Sequence, residues 1–163
     1  MIALPTRGHK LGGMAASDAP HPSNSEAQVA AEWAILHKLG IVIDVALDQG
    51  TSVPVGESQV KPDGAAMDNS VFVEVFAHIG PLKGGQKHKV STDALKLLAI
   101  RDTHPKARLI LAFADEDAAR SVSGWKAATL ESNGIEVRVV DLDEADRAKI
   151  EEGQARQRMV NPS

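Results

Sequence analysis

Residues 107–114 read Ala-Arg-Leu-Ile-Leu-Ala-Phe-Ala. An apolar run this short and this continuous fits a strand buried on both faces, as when helices cover both sides of a partly parallel sheet. The second constraint is Val71–His78, Val-Phe-Val-Glu-Val-Phe-Ala-His. Its period of two puts Val71, Val73, Val75 and Ala77 on one face and Phe72, Glu74, Phe76 and His78 on the other. The valine face has to pack on a helix. The opposite face carries a carboxylate between two phenylalanines, which is costly unless a cation or a proton neutralises it. Together these strands call for an α/β fold with an unusual group in its core.

The rest of the chain supplies the layers. Residues 1–22 are rich in Gly, Pro, Ala and Ser without periodicity and read as a mobile tail. Ser23 to Glu26 has capping-box spacing and predicts a helix over 24–39. Its apolar stripe is Val29, Trp33, Leu36 and Leu39, Glu32 lies within that stripe, and Gly40 ends it. A first strand is expected over Ile41–Leu47, a loop over 48–58, and a second strand over Gln59–Met67 with Pro62 marking an edge or bulge. Asp68-Asn69-Ser70 is turn chemistry leading into Val71–His78. A helix is expected from Gln86 to about Thr103, another from Asp115 to Asn133, a last strand over Ile135–Leu142 and a last helix over 143–158. The order is α-β-β-β-α-β-α-β-α, with about five strands in a mixed central sheet flanked by helices. No linker interrupts it, so residues 23–160 read as a single domain.

Composition removes several kinds of chemistry. The 163-residue chain has no cysteine, which excludes disulfides, thiolate zinc sites and a cysteine nucleophile. Its six histidines are scattered without the spacing of a zinc pair. Neither glycine-rich phosphate loop, GxGxxG or GxxxxGK[ST], is present. Net charge is −4 and aromatic content 3 %, which argues against a general nucleic-acid coat but leaves room for a local basic cleft. No apolar run reaches the roughly 20 residues needed to span a bilayer, so no membrane association is expected and the default location is the cytoplasm.

What remains is a constellation around the hairpin. Asp63 on the second strand and Glu74 on the third come side by side, and Gly84-Gly85 returns Gln86, Lys87 and Lys89 towards them. Along the helix Gln86, Lys89, Val90, Asp93 and Leu97 share a face, and Lys89 is spaced to pair with Asp93. The residues Pro62-Asp63-Gly64, followed by Glu74 on the next strand, resemble the signature of PD-(D/E)XK nucleases, and the element order resembles their restriction-endonuclease-like fold. The resemblance covers roughly residues 24–142. The signature asks for Glu-x-Lys, whereas this chain has Glu74-Val75-Phe76. Some members of that superfamily carry the lysine on the following helix, which makes Lys89 the natural substitute, Gln86 its companion, and Lys83 and Lys87 the fallbacks.

The resemblance implies a metal-dependent nuclease. Asp63, Glu74 and the Val75 carbonyl would hold Mg2+ or Mn2+, Lys89 would act on the attacking water, and Glu32 would complete the outer shell with Gln86. Lys83, Lys87 and His88 would meet the phosphate backbone. The expected partner is nucleic acid, DNA foremost. Because single-domain members of this fold often dimerise to cut two strands, a homodimer is open to it. The competing reading is a catalytically inactive module of the same fold that binds nucleic acid or a protein.

Overall fold

The computed structural model describes residues 22–160, with side chains from Glu26 onward. The expected tail therefore lies almost wholly outside the described residues. Helix α1 spans Pro22–Ile43, so it begins ahead of the expected cap and runs through Gly40. Gly40 is not a stop. It is buried where a Cβ would come 2.7 Å from the Val45 carbonyl oxygen. The helix ends instead with Asp44 at φ 55°. The Val45 N–H reaches back to the Gly40 carbonyl at 3.0 Å and the Asp44 N–H to that of Ile41 at 3.4 Å, the paired bonds of a Schellman ending. Asp rather than Gly takes the left-handed position, so the glycine at 40 does not mark the end of the helix.

This correction displaces the first strand. Ile41 to Ile43 are the last turn of α1, and β1 is only Leu47–Gln49. The expected loop folds into a small hairpin, β2 (Val53–Val55) with β3 (Ser58–Val60), turned at Gly56 with φ 58°. The expected second strand is broken at Lys61–Asp63, leaving β4 as Gly64–Ala66. Asp63 is thus at a corner before the strand, not on it. The Asp68-Asn69-Ser70 turn forms as expected: Asn69 is left-handed at φ 57°, and Asp68 Oδ1 accepts from the Ser70 N–H at 3.0 Å.

Strand β5 (Val71–Phe76) ends two residues early, which puts His78 outside the sheet. Helix α2 covers Gly84–Thr103 and β6 Arg108–Phe113. The expected helix to Asn133 is two pieces, α3 (Glu116–Arg120) and α4 (Trp125–Ser132), broken at Gly124 with φ 63°. Strand β7 is Ile135–Val139 and α5 is Glu144–Val160.

The fold is α/β. Five strands form a mixed sheet in the order β1-β4-β5-β6-β7. β4 is antiparallel to β1 and β5, and β5, β6 and β7 run parallel. The period-two reading of β5 holds. Val71, Val73 and Val75 join Ile110 and Ala112 of β6 against Leu36 and Leu39 of α1 and Ile150 of α5. Phe72 and Phe76 join Leu109, Leu111 and Phe113 against Val90, Leu97 and Ile100 of α2 and Leu130 of α4. β6 is buried on both faces, as its apolar run requires.

One glycine fixes how closely α1 sits on this sheet. A Cβ on Gly64 would lie 2.3 Å from Leu36 Cδ2, and Leu36 is itself buried. Gly64→Ala is expected to destabilise the chain by about 1–3 kcal/mol, the range for an extra methyl in a closed core. Denaturant titration checks this. A midpoint equal to wild type would mean that α1 is free to move away.

Candidate active site

Glu74 is the deepest charged group of the core, with no exposed surface. Being the fourth residue of β5, it points from the phenylalanine face of the sheet at α2. There the partner is Lys96. Its Nζ lies 2.8 Å from Glu74 Oε1 and 2.9 Å from Oε2. Only the approach to Oε2 has hydrogen-bond geometry, so Oε1 is buried beside a cation and accepts no hydrogen bond. Asp93, also buried, stands 3.2 Å from Lys96 and 2.5 Å from Lys89, bridging the two lysines.

The lysine at Glu74 is therefore Lys96, not Lys89. Lys89 is half-exposed, pairs with Asp93 as its spacing suggested, and sits 4.5 Å above the Phe76 ring. The reason is the antiparallel run of α2 against β5. The loop after β5 delivers the start of α2 beside Phe76. Glu74 is two residues back along the strand, roughly 7 Å. Lys96 is two turns down the helix, roughly 10 Å, and so comes level with it. Phe76 stacks on Phe113 at 4.7 Å.

Asp63 reaches the same region from the Pro62–Asp63 corner. Its Oδ2 accepts the Val75 N–H at 2.8 Å, tying the corner to the end of β5. The corner is also held from behind by the Gly50 N–H, which donates to the Asp63 carbonyl at 3.1 Å. A groove opens on this side, lined by Glu32, Trp33, Gln49, Lys61 and Asp63. Of the expected stripe of α1, Leu36 and Leu39 are buried and Ile35 joins them, whereas Val29 and Trp33 are half-exposed at this groove. Glu32 faces the groove and accepts from Gln28 Nε2 at 3.2 Å.

The electrostatics follow from this crowding. Burial, then the negative charge of Asp63, pushes Glu74 up to about 8, against the pull of Lys96. Burial, then Asp63, also raises Glu32. Burial opposes the charge on Lys96, yet Glu74 and Asp93 outweigh it and leave Lys96 raised. Of Glu32, Asp63, Glu74 and Asp93, only Glu74 and Asp93 have a lysine within ion-pair distance. The site carries surplus negative charge that a proton or a further cation would neutralise.

The other expected residues are placed differently. Gln86 caps α2: its Oε1 accepts the Lys83 N–H at 3.1 Å, and its Nε2 lies 3.0 Å from His78 Nδ1. Lys83, the N-cap of α2, and Lys87 and His88 on its first turns are exposed, and none of them is the cation at Glu74. Among the described residues no group of three or more His, Cys, Asp or Glu is arranged to hold a metal. What could hold a cation is sparser: Asp63, which lines the groove, and Glu74, which is fully buried and does not line it, carries an orphaned Oε1 and is repelled by Asp63. Two carboxylates of this kind suit Mg2+, which keeps several waters and relies on substrate phosphate for the rest.

No protein-family model, no characterised protein and no solved structure matches the chain. No described helix is long and apolar enough to cross a membrane.

Proposed function

We propose that the chain is a metal-dependent nuclease of the restriction-endonuclease-like kind. One observation carries the reading: Glu74, buried in mid-strand, has Lys96 against both oxygens and feels the charge of Asp63. The acid, acid and lysine of the PD-(D/E)XK signature are thereby assigned to Asp63, Glu74 and Lys96. A five-stranded mixed sheet whose second strand alone runs against the others supports the same reading.

In this reading Asp63 and Glu74 hold Mg2+ or Mn2+, with the Val75 carbonyl as an adjoining ligand. The metal would polarise the scissile phosphate and acidify water. Lys96 brings a cation to the oxygens that gain charge in the transition state. Asp93 helps aim Lys96, which Glu74 first and Asp93 second hold in its charged form. Asp63, through the Val75 N–H, fixes the distance between the two acids. Lys83, Lys87 and His88 offer exposed positive charge to the backbone of nucleic acid, DNA foremost.

The second reading is a non-cleaving module of the same fold. It is favoured by the full burial of Glu74 and by the closeness of Lys96 to both its oxygens, which lets the Lys96 ammonium stand where the metal would. Calorimetric titration of Mn2+ separates the two. Wild type is expected to bind one ion, and an Asp63→Ala, Glu74→Ala double variant that still folds is expected to bind none, with cleavage of DNA or RNA lost in parallel. A folded wild type that takes up no Mn2+ excludes catalysis by this route and leaves the binding module.

A further inference from the structure

Strand β7 ends the sheet, and among the described residues nothing pairs with its outer edge. Its sequence is Ile135-Glu136-Val137-Arg138-Val139. The Val140 N–H donates inward to the Phe113 carbonyl at 2.8 Å. Backbone groups alternate along a strand, so Arg138 and Glu136 also bond towards β6, and Ile135, Val137 and Val139 present theirs to the open edge. A free run of three donor–acceptor residues is a template for another strand. The edge has no proline, no lysine and no bulge, and the charges it does carry, Glu136 and Arg138, are paired within the chain, Glu136 also with Arg108.

The side chains are self-complementary about Val137. In an antiparallel pairing centred there, Val137 faces its own copy as a hydrogen-bonded pair, and Ile135 faces Val139. Glu136 then faces Arg138 of the other chain, twice, by symmetry. Opposite charges directly across a ladder are favourable, and the reverse arrangement is not. Arg138 and Glu136 are already close within the chain, at 2.9 Å, so their head groups stand together on one face. On the other face Val137 and Val139 are 42 % and 45 % exposed. Val137 borders an apolar groove made by Ala119, Val122, Ala127 and Leu130, which a second valine row would help to cover.

We infer that β7 is a homodimer interface, joining two sheets edge to edge about a two-fold axis through Val137. The inference is independent of the chemistry at Glu74. The contact is one five-residue strand, less than the roughly 800 Å² per partner of a tight complex, so the dimer is weak and depends on concentration.

The chain has no cysteine, which gives a direct test of the register. Val137→Cys places one thiol opposite itself, at about 5.5 Å between Cα atoms, within the range a disulfide spans. Under mild oxidation it is expected to form covalent dimer much faster than Leu95→Cys, whose site on α2 is the more exposed of the two, at 67 % against 42 %, but far from β7 in sequence. In sedimentation across a concentration series, wild type is expected to move from monomer to dimer. Arg138→Glu, which sets like charges across the ladder, and Val137→Lys, which sets two ammonium groups on the axis, are expected to weaken association at least tenfold while circular dichroism is unchanged. The inference is overturned by a wild type that stays monomeric throughout. It is equally overturned by a dimer indifferent to both variants, or by Val137→Cys cross-linking no faster than Leu95→Cys. Protection of the Val137 and Val139 amides from exchange in a monomer would assign the edge to another segment of the chain, and overturns it too.

Discussion

Replacing Lys96 with methionine is expected to reduce cleavage by about 10²–10³-fold, the usual loss when a single charge-stabilising donor is taken from an active site. Lys89→Met is expected to cost only a few-fold. The contrast rests on position. Lys96 has its Nζ within 2.9 Å of Glu74 and is largely shielded, whereas Lys89 touches Asp93 and the Phe76 ring and is half-exposed. A single-turnover assay at saturating Mn2+ reads the chemical step directly. Equal losses in the two variants, or a larger loss in Lys89→Met, would return the catalytic role to the first turns of α2. Folding provides a second readout. Removing one partner of a buried pair destabilises by roughly 3–5 kcal/mol when the other stays charged. Here Glu74, pushed up to about 8, already holds a proton at neutral pH, so the destabilisation of Lys96→Met is smaller at pH 6 than at pH 9.

Why the sequence pointed to Lys89 is instructive. Both lysines are on the inward-facing side of α2, with Asp93 between them, three residues from one and four from the other. Helical spacing therefore selects a face but not a height along it. Height is set by how many residues the β5–α2 loop consumes and by the antiparallel run of the helix, which are tertiary facts. The faces of β5 and β6 were legible because a strand has only two sides and the valines and phenylalanines sort themselves. Asp63 and Glu74 were legible as partners because the Asp68-Asn69-Ser70 turn fixes the hairpin. The end of α1 was not, since Asp44 rather than a glycine adopts the left-handed conformation, while Gly40 is present for close packing against Val45. Nor was the break at Lys61–Asp63. Pro62 marked a disturbance, but only the approach of Gly50 to its carbonyl shows that the chain turns a corner there. Lys96 could have been found within the face of Val90, Asp93 and Leu97, three residues after Asp93, by asking which cation there is the more enclosed.

Glu74→Gln is expected to change how stability depends on pH more than any other single substitution. In the folded chain Glu74 is pushed up to about 8 from an ordinary 4.5. Between these values the folded state holds a proton that the unfolded state has lost. Stability conferred by the neutral carboxyl is therefore fully present below about pH 4.5, falls as pH rises towards 8, and changes no further above it. Glutamine is neutral throughout and its Oε1 still accepts from Lys96. The variant is expected to match wild type near pH 5 and to exceed it at pH 9 by an amount on the order of several kcal/mol. Urea titrations at the two pH values measure this. A wild type whose stability does not fall over that range would mean that Lys96 holds Glu74 ionised. The same proton links to the metal. A carboxyl that is protonated at pH 7 must release its proton to become a ligand, so Mn2+ uptake is expected to liberate close to one proton. Calorimetry in two buffers of different ionisation enthalpy counts it. No proton released, with Mn2+ bound, would move the ion from Glu74 to Asp63 and Glu32 at the groove mouth.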